Sequence, residues 1–588
     1  MSGRALARVF VAYAIALCAV AGCLHAVIYL DPRRTPTSTR IVSDWKAGER
    51  VARAVAHDDR APGVTEACAA GDCTRVIERI VDEGPLPIEP AWLFGFSVAA
   101  GRDGIAVQLD DQTTYFTPED LLAQQVSRDG MKLGSFAARI GLDNPDALLA
   151  RMARQLNVDA DHLRARARMR RFIVQREDPA TRLWPLAAAR GRALTPAMLE
   201  QAARGAGEYL VRNQTDEGRF VYELDAIRGT ENSDYNLPRH GGTTLFLAEV
   251  AAATRDPRLT AAAMRAAQMV QRQHTVDCGP DRCIGDANRV HAGSTALILL
   301  AYVELARAGV GASLEPDIRA LAKFLRSLQR PDGEFMHVYS RSRRRAVDVQ
   351  VEFYSGEIVF ALARAHRLTR DPADLSAASA GLAYLTRRSL YQNRYYYGSE
   401  HWTCQAVEEL WDRAPDRGAL DFCLDFQTFN RPFQVSSASE FGDFEGGIAP
   451  NPFSPPRLTS TGSRTEAAVA TLATALDAGR SPAELRDLVL QVQHAIAFML
   501  RFQFSPGPRH LLSDPTRVEG GMPGSPTDMR VRIDFLQHAV SGVLRYMRLV
   551  ERYPALASWA PLGHIRPEFQ CQQFASSTVS ASPSVSRR

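Results

Sequence analysis

Acids, histidines and arginines gather at one recurring place in this 588-residue chain, just ahead of long and almost wholly apolar stretches. Asp234, Tyr235, Asn236, Arg239 and His240 come before "TTLFLAEVAAAT"; Asp286, Asn288, Arg289 and His291 come before "STALILLAYVELA". Glu352, Tyr354 and Glu357, then Glu400, His401 and Trp402, then Arg464 and Glu466, then Arg532, Asp534, Gln537 and His538 mark four further starts. Two carboxylates facing one scissile bond can divide the roles of general acid and general base. Asp234 and Glu357 are the first choices for such a pair, with Asp534 in reserve. The alternative chemistry is proton exchange beside a carbonyl by His240, His291 or His401.

The remaining polar and aromatic groups at these starts read as a binding set: Tyr235, Arg239, His240, Arg289, His291, Tyr354, His401, Trp402, Arg464, Arg532 and His538. Trp402, Tyr354 and the run Tyr395, Tyr396 and Tyr397 offer flat faces to a ring-shaped ligand, the tyrosine run being equally readable as a packed loop. Arg239, Arg289, Arg464 and Arg532 stand where a helix dipole disfavours cations, so something must compensate. An anionic ligand held bidentately would do so. Pairing with Asp234, Asp286, Glu466 and Asp534 is the internal alternative, and acids at helix starts also serve as ordinary caps.

Positioning these groups requires the helices themselves. From about residue 195 to 551 two kinds alternate. One is amphipathic: in "EPDIRALAKFLRSLQ", Ile318, Leu321, Phe324, Leu325 and Leu328 form one stripe, with Arg319, Lys323 and Arg326 turned away. The other is apolar all round and must be covered on both sides. Amphipathic members close near Gln214, Gln273, Gln329, Gln392, Gln427 and Gln503; apolar members begin near His240, His291, Phe353, His401, Arg464 and Arg532. Six outer/inner pairs at a period of roughly 60 residues read as a repeat architecture. Burying the inner helices against one another predicts a mainly α fold, an (α/α)6 toroid with a funnel at one end. "RHGGTT" and "VHAGST" then become equivalent points on adjacent inner helices, where small residues let the starts crowd and the histidines face the funnel.

Two of the Gln-ended helices run into "QTDEGRF" and "QRPDGEF", both Q-x-x-x-G-x-F. This pattern resembles the QW-type repeat of α-toroid cyclases and is similar to the turns of six-hairpin glycosidases and sugar epimerases, over about residues 195–551. The acidic D-x-D-D run of the cyclases is absent, which argues against terpene cyclisation. The resemblance implies a carbohydrate-active toroid with its site in the funnel. It is either a glycoside hydrolase acting on an acidic glycan through paired carboxylates, or an epimerase or isomerase using funnel histidines. A non-catalytic polysaccharide-binding or envelope-assembly protein is the competing class. No cofactor and no metal is expected.

Residues 9–30 form an apolar run behind Arg4 and Arg8, long enough to span a hydrocarbon core of roughly 30 Å. It reads as an uncleaved anchor, a cleaved secretory signal, or a lipoprotein segment lipidated at Cys23. "CAAGDC" (Cys68, Cys73) and "CGPDRC" (Cys278, Cys283) suit tight disulfide loops, zinc being the competing reading. Disulfides would place the protein on the extracytoplasmic, periplasmic face of a membrane. Lys and Arg number 70 against 66 Asp and Glu, a net charge of +4, which excludes a nucleic-acid footprint. Residues 31–84 read as a tether with a short helix around "CTRVIERIVDEG". Residues 85–180 read as a small α+β domain in which "FGFSVAA", "GIAVQL" and "TTYFTP" are strands and "ADHLRARARMRRFIV" a helix. Two long Gly/Pro-rich insertions precede the last two inner helices; the first carries Glu440, Asp443 and Glu445 and reads as a lid or a contributor to the site. Residues 572–588 read as a disordered tail.

Overall fold

A computed structural model describes residues 39–558 apart from segments 47–48, 57–72, 99–100, 102, 124–128, 134–137, 143–144, 179–192, 286–287, 390–399, 437–443, 451–455 and 505–509. The helical part is a closed ring. Its inner helices are Leu237–Thr254, Ala292–Arg307, Tyr354–Thr369, Glu400–Leu410, Leu458–Asp477 and Ile533–Arg552. Each packs on the next, and the sixth packs back on the first. The outer helices Pro196–Arg212, Pro257–Gln273, Glu315–Ser327, Pro372–Ala383, Arg417–Asn430 and Arg486–Arg501 cover the grooves between them. The inner helices are buried almost throughout, as in Ala292 to Leu305 of the second, because both faces meet protein.

The Q-x-x-x-G turns lock neighbouring repeats together. Gln214 Nε2 donates to the carbonyls of Gly218 (3.4 Å) in its own turn and Ala262 (3.0 Å) on the next outer helix. Gln329 does the same to Gly333 (3.1 Å) and Ala377 (2.9 Å). Gln503 reaches Gly520 (3.0 Å) and, across the seam, Ala202 (2.9 Å) of the first outer helix. Gly218 and Gly333 sit at φ 102° and 97°, which only glycine adopts without strain. In the fifth repeat this role falls to Gln434, bonded to Gly446 and Gln491, and not to the expected Gln427, which lies inside its helix against Thr471. The seam is also stitched by a two-strand pairing of Glu223–Asp225 with Arg530–Arg532. Such short strands recur in the loops at the helix starts, where the sequence predicts none.

Ahead of the ring stands an antiparallel sheet in the order β2-β1-β3-β8-β4-β5. Its strands are β1 (Arg40–Lys46), β2 (Glu49–Ala56), β3 (Thr74–Leu86), β4 (Asp103–Leu109), β5 (Gln112–Phe116) and β8 (Arg168–Arg176), with a separate hairpin β6 (Asp129–Leu133) and β7 (Ala138–Leu142). Arg40–Lys46, Glu49–Ala56 and Thr74–Leu86 are thus strands of the sheet, which corrects the tether over these residues. The short helix expected at "CTRVIERIVDEG" is β3: Val76, Glu78 and Ile80 are buried at alternate positions, a period of two that no helix satisfies. "FGFSVAA" is instead part of helix Ala91–Ser97, where Phe94 and Val98, four apart, enter the core with Leu148 and Met152. "ADHLRARARMRRFIV" divides into helix Ala160–Arg166 and strand β8.

The second long insertion serves as a wedge between the two parts. Leu511 packs with Trp45 and Val76 of the sheet, and His510 Nε2 lies 2.9 Å from Glu119 Oε2. In the first insertion, Glu445 stands 3.9 Å from His494 on the sixth outer helix, away from the funnel, while Glu440 and Asp443 fall outside the described residues. Disulfides Cys278–Cys283 and Cys404–Cys423 are formed. The first bears out the loop reading over zinc; the second ties the fourth inner helix to the fifth outer helix. Among the described residues no helix is long and apolar enough to cross a membrane. Residues 9–30, Cys23, Cys68 and the tail 572–588 lie outside them.

Candidate functional site

The inner helices present their first turns at one face, and glycines there make room for neighbouring side chains. A Cβ on Gly242 would strike Gln537, one on Gly293 would strike Tyr354 and Glu357, and one on Gly356 would come within 2.9 Å of Trp402 Cβ. Gly462 lies against the backbone of His538. The crowding expected of the "GG" and "AG" starts is therefore real.

Side chains from non-adjacent inner helices meet only through the lumen, and one such meeting defines the site. His401 on the fourth helix and His538 on the sixth have ring centroids 5.3 Å apart. Between them the fifth helix contributes Glu466, whose Oε2 is 3.0 Å from His538 Nδ1 and 3.9 Å from His401 Nε2. Trp402 closes one side, its ring 4.7 Å from His401 and 6.2 Å from His538. Burial opposes charge on His538, but the Glu466 carboxylate and, behind it, Asp534 outweigh that and hold its pKa above the ordinary value. Burial likewise pushes Glu466 up, with His538 and Arg545 pulling the other way. One ligand atom from each of His401, Glu466 and His538 lies within 4.8 Å of the others, so the three are also able to share a divalent ion.

Two turns deeper the lumen is closed by charge. Arg364 Nη1 donates to Glu249 on the first helix (2.9 Å) and its Nε to Glu409 on the fourth (3.1 Å), with Glu304 of the second at 3.8 Å. Arg545 of the sixth pairs with Glu408 of the fourth at 2.6 Å. Glu249, Arg364, Glu408 and Arg545 each stand seven residues beyond Gly242, Glu357, His401 and His538, so roughly 10 Å separates the two layers.

The other expected residues are divided between wall, rim and interior. Asp534 is held by Arg532 (2.6 and 3.0 Å) and Arg239 (3.1 Å). Burial would raise its pKa, but these two cations outweigh it and keep the carboxyl low. Arg239 and Arg532 are thus compensated internally. Asp234 is exposed at the surface and does not join a buried pair. His240 does not face the funnel: its Nε2 donates to Ala266 O on the second outer helix (3.1 Å), and its Nδ1 accepts from Tyr235 Oη (2.6 Å). Burial takes it down to about 4 and Tyr235 up to about 12. Both are structural.

His291 is at the rim, exposed, with Tyr354 Oη 3.4 Å from its Nδ1. Arg289 is exposed two residues before it. Glu357 is buried in the niche beside Gly293, its Oε2 without a hydrogen-bond partner, and burial raises its pKa well above the usual range. Arg464 lies two turns inside its helix rather than at the start, bonded to Asn430 (2.9 Å) and Pro450 O (3.2 Å). Asp286, Tyr395, Tyr396 and Tyr397 lie outside the described residues.

Sequence reasoning passed over Glu466 as a centre, taking it for a counter-ion of Arg464. The available signal was a carboxylate about one turn beyond Gly462, directly ahead of the apolar run at 467–470. His337 was missed as well: Val351 N–H donates to its Nδ1 (2.8 Å), so Nε2 carries the proton that goes to Ser355 Oγ (2.7 Å). That tautomer cannot activate the serine as a nucleophile.

Fold and cluster together define an (α/α)6 toroid with a buried His–Glu–His cluster among its inner helices, carried behind an antiparallel sheet. Among solved structures the chain is similar to a D-mannose isomerase (14% identity, covering 60% of this chain and 98% of that chain, TM-score 0.46). It is also similar to the cellobiose 2-epimerase from Bacillus thermoamylovorans B4167 (10%, 58% and 96%, TM-score 0.47) and to an unsaturated glucuronyl hydrolase specific for heparin (10%, 60% and 98%, TM-score 0.42). No family model and no curated protein matches the chain.

Proposed function

We propose that this protein is a carbohydrate-processing enzyme that moves a proton at the carbon next to a sugar carbonyl, an epimerase or isomerase. The observation that carries the reading is the meeting of His401 and His538 across the lumen with Glu466 between them. One imidazole takes the proton, the electron pair passes to the carbonyl oxygen to form an enediolate, and the other imidazole returns a proton. Return to the opposite face of the same carbon is epimerisation; return to the former carbonyl carbon is isomerisation. Glu466 fixes the His538 tautomer with Nδ1 protonated, leaving Nε2 for the substrate.

The hydrolase reading keeps one supporting observation, the buried carboxyl of Glu357, whose pKa burial raises. Its intended partners weaken it, since Asp534 is bound by two arginines and Asp234 is exposed. Two disulfides support an extracytoplasmic setting.

Incubation with glucose, mannose and N-acetylglucosamine in D2O, followed by proton NMR, tests the assignment. Solvent deuterium at the second carbon, lost in His401→Asn and His538→Asn but kept in Glu357→Gln, is expected. Release of reducing ends from oligosaccharides without such exchange, abolished by Glu357→Gln, would replace this reading with the hydrolase.

A further inference from the structure

Of the four helix-start arginines, Arg239 and Arg532 pair with Asp534, and Arg464 bonds Asn430 and Pro450 O, which leaves Arg289 at the rim. A three-stranded sheet at the rim joins Arg289–His291, Val338–Ser340 and Arg345–Val347. In its register Arg289, Ser340 and Arg345 stand opposite one another, so the two arginines share one face and flank a buried serine. His291 lies two residues along from Arg289 and therefore on that same face. The turn between the last two strands is "RSRR", Arg341 to Arg344, with every residue exposed. Among the described residues none of Arg289, Arg341, Arg343, Arg344 and Arg345 has an acidic partner, and Arg341 reaches only the Asp277 carbonyl (3.1 Å).

This hairpin breaks the local rules of turn chemistry. Arg344 occupies the left-handed region at φ 50°, where Gly, Asn or Asp is the ordinary choice. Arg289 and Arg345 stand on the two outer strands with only Ser340 between them on that face, and no acid is opposite either. The turn is nevertheless held firmly: Arg341 N–H donates to Asn288 O (2.8 Å) and Ser342 N–H to Asn288 Oδ1 (2.6 Å). Departures from local consistency of this kind mark function.

We infer that this hairpin and Arg289 form the docking track for an anionic polysaccharide that feeds a sugar end into the lumen. The inference rests on the carbohydrate reading above and adds the substrate class. Guanidinium groups bind carboxylate or sulfate bidentately, and the track ends at His291 and Tyr354 on the funnel rim, which favours a glycan over a membrane surface.

The test is binding of the full chain to polygalacturonate by calorimetry over a salt series, with neutral dextran and phosphatidylglycerol vesicles in parallel. Polygalacturonate should bind and weaken as salt rises; dextran and vesicles should not bind. The Arg341→Ser, Arg343→Ser, Arg345→Ser triple variant should lose about tenfold or more in affinity at low salt, with an unchanged melting temperature as the fold control. Equal binding by the triple variant, or preference for vesicles, would overturn the inference. Binding to polygalacturonate without deuterium exchange into any sugar would leave the track standing and remove the epimerase reading; exchange without polyanion binding would do the reverse.

Discussion

Glu466 Oε2 accepts a hydrogen bond from His538 Nδ1 at 3.0 Å although the two are 72 residues apart, on the fifth and sixth inner helices. Under the proposed epimerase or isomerase reading, this contact would set the acid–base behaviour of the cluster. It holds one imidazole in one tautomer and shares the carboxylate with a second, His401, from across the ring.

Glu466→Gln should therefore reduce turnover by about 10²–10⁴, the range ascribed to general acid–base groups. Without the carboxylate, His538 loses what raises its pKa. An acid limb that requires neutral His538 should move to lower pH. A pH–rate profile of wild type and variant checks both, and an unmoved limb would show that Glu466 does not act through His538.

Glu357 is buried with its pKa pushed up by burial. A carboxyl raised in the folded state loses stability as pH climbs from its unfolded value of about 4.3 toward the folded one. Glu357→Gln removes that loss. The variant should melt higher than wild type at pH 8, with the difference shrinking toward pH 4, as thermal scans across that range would show.

His240 and His337 are both held neutral by burial, at about 4. The unfolded chain takes up their protons below about 6.5, so stability should fall as pH drops from there toward 4. His240→Gln keeps polar atoms at the site but no titrating ring, and should flatten part of that slope in denaturant titrations. An unchanged slope would remove His240 from the account.

Gly462→Ala tests the crowding. On helix propensity alone alanine gains about 1 kcal/mol over glycine. Here the new Cβ would meet the His538 backbone at 2.5 Å, so the substitution should instead destabilise by about 1–3 kcal/mol and lower activity by displacing His538 from Glu466. Urea unfolding and activity measured together distinguish this from a simple gain in helicity.

The floor of the lumen makes a separate prediction. Arg364 is buried among Glu249, Glu304 and Glu409. Arg364→Met leaves those carboxylates without their cation and should cost about 3–5 kcal/mol, measured by chemical denaturation.

What the sequence determined by itself was whatever repeats along the chain. Helical periodicity, the all-apolar inner runs and the Q-x-x-x-G turns depend on neighbours within a few residues, and they announced six pairs closing on themselves. The strands β3 and β8 were harder to read, because short runs mixing Arg or Glu with Val and Ile suit either period until a partner strand selects one. The histidines of "RHGGTT" and "VHAGST" occupy similar places in two phrases. Yet His240 turns outward to Ala266 while His291 stays on the rim. Only the tertiary structure could choose His401, Glu466 and His538 from a longer list of rim residues, since which side chain enters the lumen depends on helix rotation. Rotation is set by packing between helices distant in sequence.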